Sequence, residues 1–143
     1  MRAGMAAVAA LLVLQGTPVA ADDKRAVLSW DVLGQFSVVK EQGRFVPQFS
    51  KELAGLDRTQ VKLQGFMMPL EAAGKQQRFL LTSMPPSCPY CMSPGVDQLV
   101  EVQAKTGVKY ALDAIVVSGK LTLLRDDPAG LLYRLTEAVV IEK

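Results

Sequence analysis

The sequence contains no histidine and only two cysteines among its 143 residues. Without histidine, the chain cannot form a serine or cysteine catalytic triad of the usual kind. A complete Cys/His zinc site within one chain is excluded for the same reason. The 16 basic and 14 acidic residues nearly balance, and aromatic residues make up only 6% of the chain. Nucleic-acid sites need basic patches and stacking aromatic side chains, so this composition argues against a nucleic-acid partner.

The chain also lacks an apolar run long enough to cross a membrane. The run from Met5 to Leu14 is shorter than the roughly 20 residues that a transmembrane helix needs. It follows Arg2 and precedes the small residues Val19 and Ala21, which is the pattern of a cleavable secretory signal peptide. We therefore expect removal of residues 1–21, no membrane span in the mature chain, and a periplasmic location. That compartment is oxidising, so the two cysteines could form a disulfide there.

The mature chain is long enough for one small domain. Residues 22–57 hold large apolar side chains at irregular spacing, which predicts an ordered but irregular N-terminal arm that lays Trp30 against the domain. A short turn of helix is expected at the end of the arm. Residues 58–143 show a hydrophobic pattern of period two, with turn residues between the apolar segments. The strands predicted there are Thr59–Met67, Arg78–Ser83, Asp97–Ala104, Ala111–Leu124 with a bend at Gly119, and Leu131–Ile141.

Five short strands with glycines inside two of them predict a mainly β fold. Either a small five-stranded OB-like barrel or a two-sheet β-sandwich fits this pattern. An OB-fold usually adds a helix between its third and fourth strands, and the sequence offers little room for one there.

Both cysteines lie in a proline-rich loop between the second and third predicted strands, in the string Cys88-Pro89-Tyr90-Cys91. One interpretation is a catalytic dithiol, with Cys88 as nucleophile and Cys91 as resolving thiol, because glutaredoxins share this string. Such thiols work at a helix N-terminus, whereas Pro94 and Gly95 follow closely here. A second interpretation is a structural disulfide, for which a loop this short gives roughly 2 kcal/mol.

A third interpretation is a soft-metal site. The methionines that remain after signal cleavage all lie near the cysteines in the sequence: Met67, Met68, Met84 and Met92. Thiolates and thioethers select Cu(I), while Zn(II) would need further ligands from acidic residues or a partner chain. Methionine is also a common core residue, and since Met67 and Met68 have opposite parity, at least one of them should point inward. Asp97 is a further candidate, as a hydrogen-bond acceptor near the loop.

Several segments together resemble an exported family of bacterial envelope proteins, domain of unknown function 3299. They are Gly65–Leu70, Cys88 with the loop into Asp97–Val102, Trp30, Val117–Leu121 and Leu132–Leu135. The resemblance implies a small periplasmic or lipid-anchored β protein. It also implies an accessory role in metal handling, because some relatives are similar to products encoded beside metal-responsive transporter genes. The family commonly has a proline-rich run ending in Pro-Asn-Gln before the third strand, and Ser93–Gln98 keeps only part of it.

These observations favour a non-enzymatic periplasmic accessory module in metal or envelope homeostasis. Its partner would be an envelope transporter component or another periplasmic protein. A thiol-disulfide oxidoreductase and an interaction scaffold with a disulfide-stapled loop remain the alternatives.

Overall fold

The structure is a computed structural model, and it describes residues 25–72, 74–88, 90 and 93–142. The signal peptide predicted for residues 1–21 lies outside the described residues. In chain order, the regular elements are α1 (Trp30–Leu33), β1 (Phe36–Glu41), β2 (Arg44–Phe49), α2 (Lys51–Gly55), β3 (Gln60–Pro69), β4 (Lys75–Thr82), a 3-10 turn (Val96–Gln98), β5 (Leu99–Lys109), β6 (Ile115–Leu123) and β7 (Tyr133–Glu142).

Strands β3 to β7 form a closed five-stranded barrel in the order β3-β4-β5-β7-β6, and β6 pairs back onto β3. All neighbours are antiparallel except β5 and β7, which run parallel. The mainly β, OB-like barrel predicted from the sequence is confirmed. Closure of the sheet on itself decides between the two architectures, because a β-sandwich would leave two separate sheets.

The barrel core follows from the alternation of side chains along each strand. On β3, Val61, Leu63, Gly65 and Met67 are buried, while the residues that alternate with them are partly or fully exposed. Facing residues from the other strands complete one continuous hydrophobic core, including Phe79, Leu81, Val100, Val102, Ile115, Val117, Leu121 and Leu135. The predicted bend at Gly119 is present as a register shift between Ser118 and Lys120 in the pairing of β6 with β7.

The N-terminal arm is more regular than the sequence predicts. Strands β1 and β2 form a two-stranded antiparallel hairpin, joined by Gln42 and Gly43 with φ values of 48° and 82°. Two successive residues at positive φ match the twist of a hairpin in a tight turn. Pro47 lies inside β2 and argues against a strand in the sequence, since proline cannot donate a ladder hydrogen bond. It is accommodated because β2 is an edge strand.

The arm is fixed to the barrel by buried side chains and by long-range hydrogen bonds. Leu33 from α1 and Leu53 from α2 are fully buried in the core. The Trp30 indole N–H donates to the carbonyl of Gln64 at 2.8 Å, and the Tyr133 hydroxyl donates to the carbonyl of Leu33. The sequence prediction that Trp30 lies against the domain is therefore confirmed.

The third barrel strand differs from its prediction in extent. Asp97 belongs to the 3-10 turn, and β5 begins at Leu99 and continues to Lys109. Because β5 is long, only a short connection leads to β6, and no helix lies between these strands in the described chain. The two short α-helices, α1 and α2, precede the barrel instead. None of the helices in the described ranges is long and apolar enough to span a bilayer.

Gly65 gives a direct test of how the arm meets the barrel. A Cβ at this position would lie 2.5 Å from the Thr82 carbonyl oxygen, 2.9 Å from Leu81 Cγ and 3.1 Å from Trp30 Cζ2. We expect Gly65→Ala to lower the free energy of unfolding by about 1–3 kcal/mol, because backbone and packed side chains must move apart. Urea denaturation of the mature chain measures the change.

Gly55→Ala is the matched control, since a Cβ at that position meets nothing within 4 Å. It should leave stability within about 1 kcal/mol of the wild type. Equal stability of the two variants would show that Trp30 and β4 are not closely packed against Gly65.

Candidate functional site

The cysteine loop connects β4 to β5 and is closed at its base by Ser83 and Gln98. The Ser83 amide donates to the Gln98 carbonyl at 3.3 Å, and the Ser83 hydroxyl donates to Gln98 Oε1 at 3.2 Å. Further along, the Thr82 hydroxyl donates to the Met84 carbonyl at 2.6 Å, and the Cys88 amide donates to the Pro85 carbonyl at 3.1 Å. These local bonds hold the loop in place where its prolines prevent ladder pairing.

The beginning of the loop forms one wall of a cavity of about 240 Å³ on the outside of the barrel. Three sulfur-bearing residues line this cavity: Met68 from β3, and Met84 and Cys88 from the loop. All three are half-buried. Thr82 and the loop residues Pro85, Pro86, Ser93 and Pro94 complete the lining. We call this space the sulfur cavity.

The adjacent methionines of β3 separate as their parity predicts. Met67 is 1% exposed and belongs to the barrel core, whereas Met68 reaches the sulfur cavity. The sequence prediction that at least one of the two points inward is confirmed. Met67 is therefore not brought together with the other candidate ligands. Cys91 and Met92 lie outside the described residues, so their places in a site stay predictions.

Cys88 is not a free thiol. Its pairing with Cys91 remains a prediction. The described residues after the second cysteine, Ser93 to Gly95, have no regular structure, and a single 3-10 turn follows them. Within these residues the loop gains no helix dipole of the kind that favours a thiolate in dithiol enzymes.

Asp97 lies at the junction of the arm and the barrel rather than in the sulfur cavity. A Cβ added to Gly95 would overlap its Oδ1, and one added to Gly34 of the arm would lie 3.8 Å from its Oδ2. Burial raises the pKa of Tyr133 well above its usual range, and the nearby Asp97 carboxylate raises it further. The Tyr133 hydroxyl therefore keeps its proton even in alkaline solution and donates it to the Leu33 carbonyl of the arm.

Sequence reasoning missed a charged cluster on the outer face of the barrel. Glu101 of β5 is fully buried, and its two carboxylate oxygens accept hydrogen bonds from the Nε groups of Arg78 on β4 and Arg134 on β7. Arg134 also lies 3.4 Å, through Nη2, from Asp127 Oδ1. Asp127 in turn accepts from the amides of Ala129 and Leu131 at 3.0 and 3.2 Å. We call these four charged residues the arginine–carboxylate cluster.

The ionisation of Glu101 is set by two opposing effects. Burial by itself raises the pKa of the carboxyl, but the hydrogen bonds and positive charges of Arg134 and Arg78 outweigh it and hold the pKa below its usual range. Glu101 is therefore a buried anion at neutral pH. In the sequence, its place between Val100 and Val102 indicates an ordinary exposed residue of an amphipathic strand. Only the register, which places Arg134 directly beside it, reveals the pairing.

The family model of DUF3299, a protein family of unknown function, matches residues 24–140. The chain belongs to the DUF3299 family. It is similar to a crystal structure of a DUF3299 family protein from Pseudomonas aeruginosa PAO1, at 25% sequence identity, with 68% of each chain covered and a TM-score of 0.53. No curated protein matches the chain. The family resemblance seen in the sequence is thus confirmed.

The sulfur cavity of this DUF3299 chain offers few kinds of side chain that could bind a metal ion. Among the residues that the structure describes, no group of three or more His, Cys, Asp or Glu side chains could hold a metal ion. A metal bound at the cavity would therefore depend on thioether sulfur from Met68 and Met84 in addition to cysteine. That donor set suits Cu(I) and does not suit Zn(II).

We expect Glu101→Gln to lower the free energy of unfolding by about 2 kcal/mol at pH 7, because both arginines lose their charged acceptor. Since the pKa of Glu101 is lowered in the folded state, its contribution is complete above the unfolded pKa of roughly 4.3 and is lost as the pH falls through the folded pKa. The stability difference between wild type and variant should therefore shrink below about pH 4. Urea denaturation over this pH range measures it.

Glu41→Gln is the control for the charge change, since Glu41 is exposed on β1. Its stability should follow the wild type at every pH. A constant difference between Glu101→Gln and wild type down to about pH 2 would contradict the ion-pair explanation.

Proposed function

We propose that this DUF3299 protein is a non-enzymatic accessory module of the bacterial envelope that binds a soft metal ion, such as Cu(I), at the sulfur cavity. The observation that supports the proposal is the meeting of Met68, Met84 and Cys88 around one cavity. Polarizable thioether and thiolate sulfur are the ligands that Cu(I) prefers. The cavity is partly open to solvent on the outside of the barrel, so an ion could enter and leave without unfolding.

The lining residues come from two parts of the chain that the fold holds at fixed positions. Met68 extends from a barrel strand, directly opposite Leu80 of β4, and its backbone is fixed by the ladder. Met84 is the second residue after β4, and its carbonyl accepts a hydrogen bond from the Thr82 hydroxyl. One thioether on a barrel strand and one at the start of the loop would form half of a site, and the part of the loop that carries Cys88 would supply the rest.

In an exported protein, metal binding at the sulfur cavity would require that the cysteines be reduced. In the oxidising periplasm predicted from the signal peptide, Cys88 and Cys91 would pair, and a disulfide offers no thiolate to a metal. Reduction by a dithiol reductant would convert the disulfide to two thiols and complete the sulfur ligand set. An envelope transporter component or another periplasmic protein would then receive or deliver the ion.

Titration of the reduced mature protein with Cu(I), in competition with a chromophoric chelator and without oxygen, tests the proposal. We expect one Cu(I) per chain, and a loss of affinity in Cys88→Ser and in Met68→Leu of about tenfold or more, equivalent to about 1.4 kcal/mol. Met67→Leu is the matched control. It changes the neighbouring methionine in the same way, but that side chain lies in the core. It should therefore leave the affinity unchanged.

Two outcomes would contradict the proposal. Equal affinities in Met68→Leu and Met67→Leu would show that the cavity is not the binding site. Absence of tight Cu(I) binding would leave the disulfide as the explanation for the cysteines, and its reduction potential then separates the alternatives. A potential below about −300 mV indicates a structural staple, whereas about −120 to −230 mV indicates a thiol-disulfide oxidoreductase.

A further inference from the structure

The arginine–carboxylate cluster separates its charges by depth. Its two carboxylates are buried, with side-chain exposures of 0% for Glu101 and 9% for Asp127. Its two guanidinium groups lie above them, with exposures of 57% for Arg78 and 26% for Arg134. The four formal charges cancel, but the charge that faces solvent is positive.

The buried carboxylates fix both guanidinium groups. Arg134 is held at two points, since Nε donates to Glu101 and Nη2 to Asp127. Asp127 is itself held by two backbone amides. Hydrogen bonds therefore link Ala129, Asp127, Arg134 and Glu101 in one continuous series. Arg78 is held at Nε alone. Its two terminal amino groups make no hydrogen bond within the described part of the chain and remain available as donors.

Stability alone does not explain this arrangement. Removing a carboxylate from water is costly, and a buried ion pair is often no more stabilising than apolar side chains of similar volume. Leu80, which lies directly opposite Glu101 on β4, shows that apolar residues are accommodated on this face. In contrast, a buried carboxylate that orients the planar guanidinium group of an arginine prepares it to bind an oxyanion on its solvent side.

We propose that Arg78 and Arg134 form a binding site for the carboxylate or phosphate group of a small anionic ligand, on the outer face of β4, β5 and β7. Arg78 would donate through its terminal amino groups, and Arg134 would add a second, less exposed guanidinium charge. Glu101 would act as a positioning residue that holds both guanidinium groups in the orientation needed to bind the ligand. This site uses none of the sulfur-bearing residues and does not depend on metal binding.

NMR of the mature protein tests the site, with the arginine Nε–Hε signals followed during titration at constant ionic strength. Inorganic phosphate and succinate are the two probes, so that their relative affinities tell a phosphate site from a carboxylate site. We expect saturable shifts of the Arg78 and Arg134 signals with at least one probe. Arg78→Gln should weaken that binding by about tenfold or more, which corresponds to about 1.4 kcal/mol.

Arg44→Gln is the matched control, because it removes the same charge from an exposed arginine that pairs with exposed Asp126 and with neither carboxylate of the cluster. It should leave the affinity unchanged. Arg78→Lys keeps the charge but loses the planar fork, so it should bind more weakly than wild type. This variant also carries the test if Arg78→Gln does not fold.

Shifts that rise linearly with both probes without saturating would overturn the proposal. Equal weakening in Arg78→Gln and Arg44→Gln, or wild-type affinity in Arg78→Lys, would overturn it as well. In those cases the cluster is an ion-pair network that only joins the strands.

Discussion

Closure of the sheet is the constraint on which the rest of the structure depends. Each barrel strand must pair on both sides, and β7 achieves this by lying parallel to β5 and antiparallel to β6. Once the barrel is closed, every side chain of its strands lies either in the core or on the outer face. Chemistry is then confined to the outer face and to the loops, because the interior of so small a barrel is filled by side chains.

The two candidate sites occupy that outer face side by side. Met68, Leu80, Glu101 and Arg134 are successive direct partners across β3, β4, β5 and β7, so they form a single transverse row. The sulfur cavity lies at one end of the row and the arginine–carboxylate cluster at the other. An apolar residue, Leu80, separates the soft donors from the charges. The two sites therefore belong to one surface, although they share no side chain.

Much of the barrel could be predicted because its signals are local. Period-two alternation marked the strands, the position of Gly119 marked the bulge, and the parity of Met67 and Met68 separated a core residue from a cavity residue. The β1–β2 hairpin was missed because Pro47 argues against a strand unless the strand is known to be an edge. Glu101 was missed for a different reason. Its burial depends on arginines far away in the sequence, and only the register of paired strands brings them together.

The late position of β7 in the sequence has a consequence for folding. This strand fills the gap between β5 and β6, and its Tyr133 also secures the arm through Leu33. Before residues 133–142 are available, β5 and β6 each present an open edge and the arm lacks its hydrogen bond to Tyr133. The barrel cannot close until residues 133–142 have been synthesised, and its slow step is expected to be this long-range pairing.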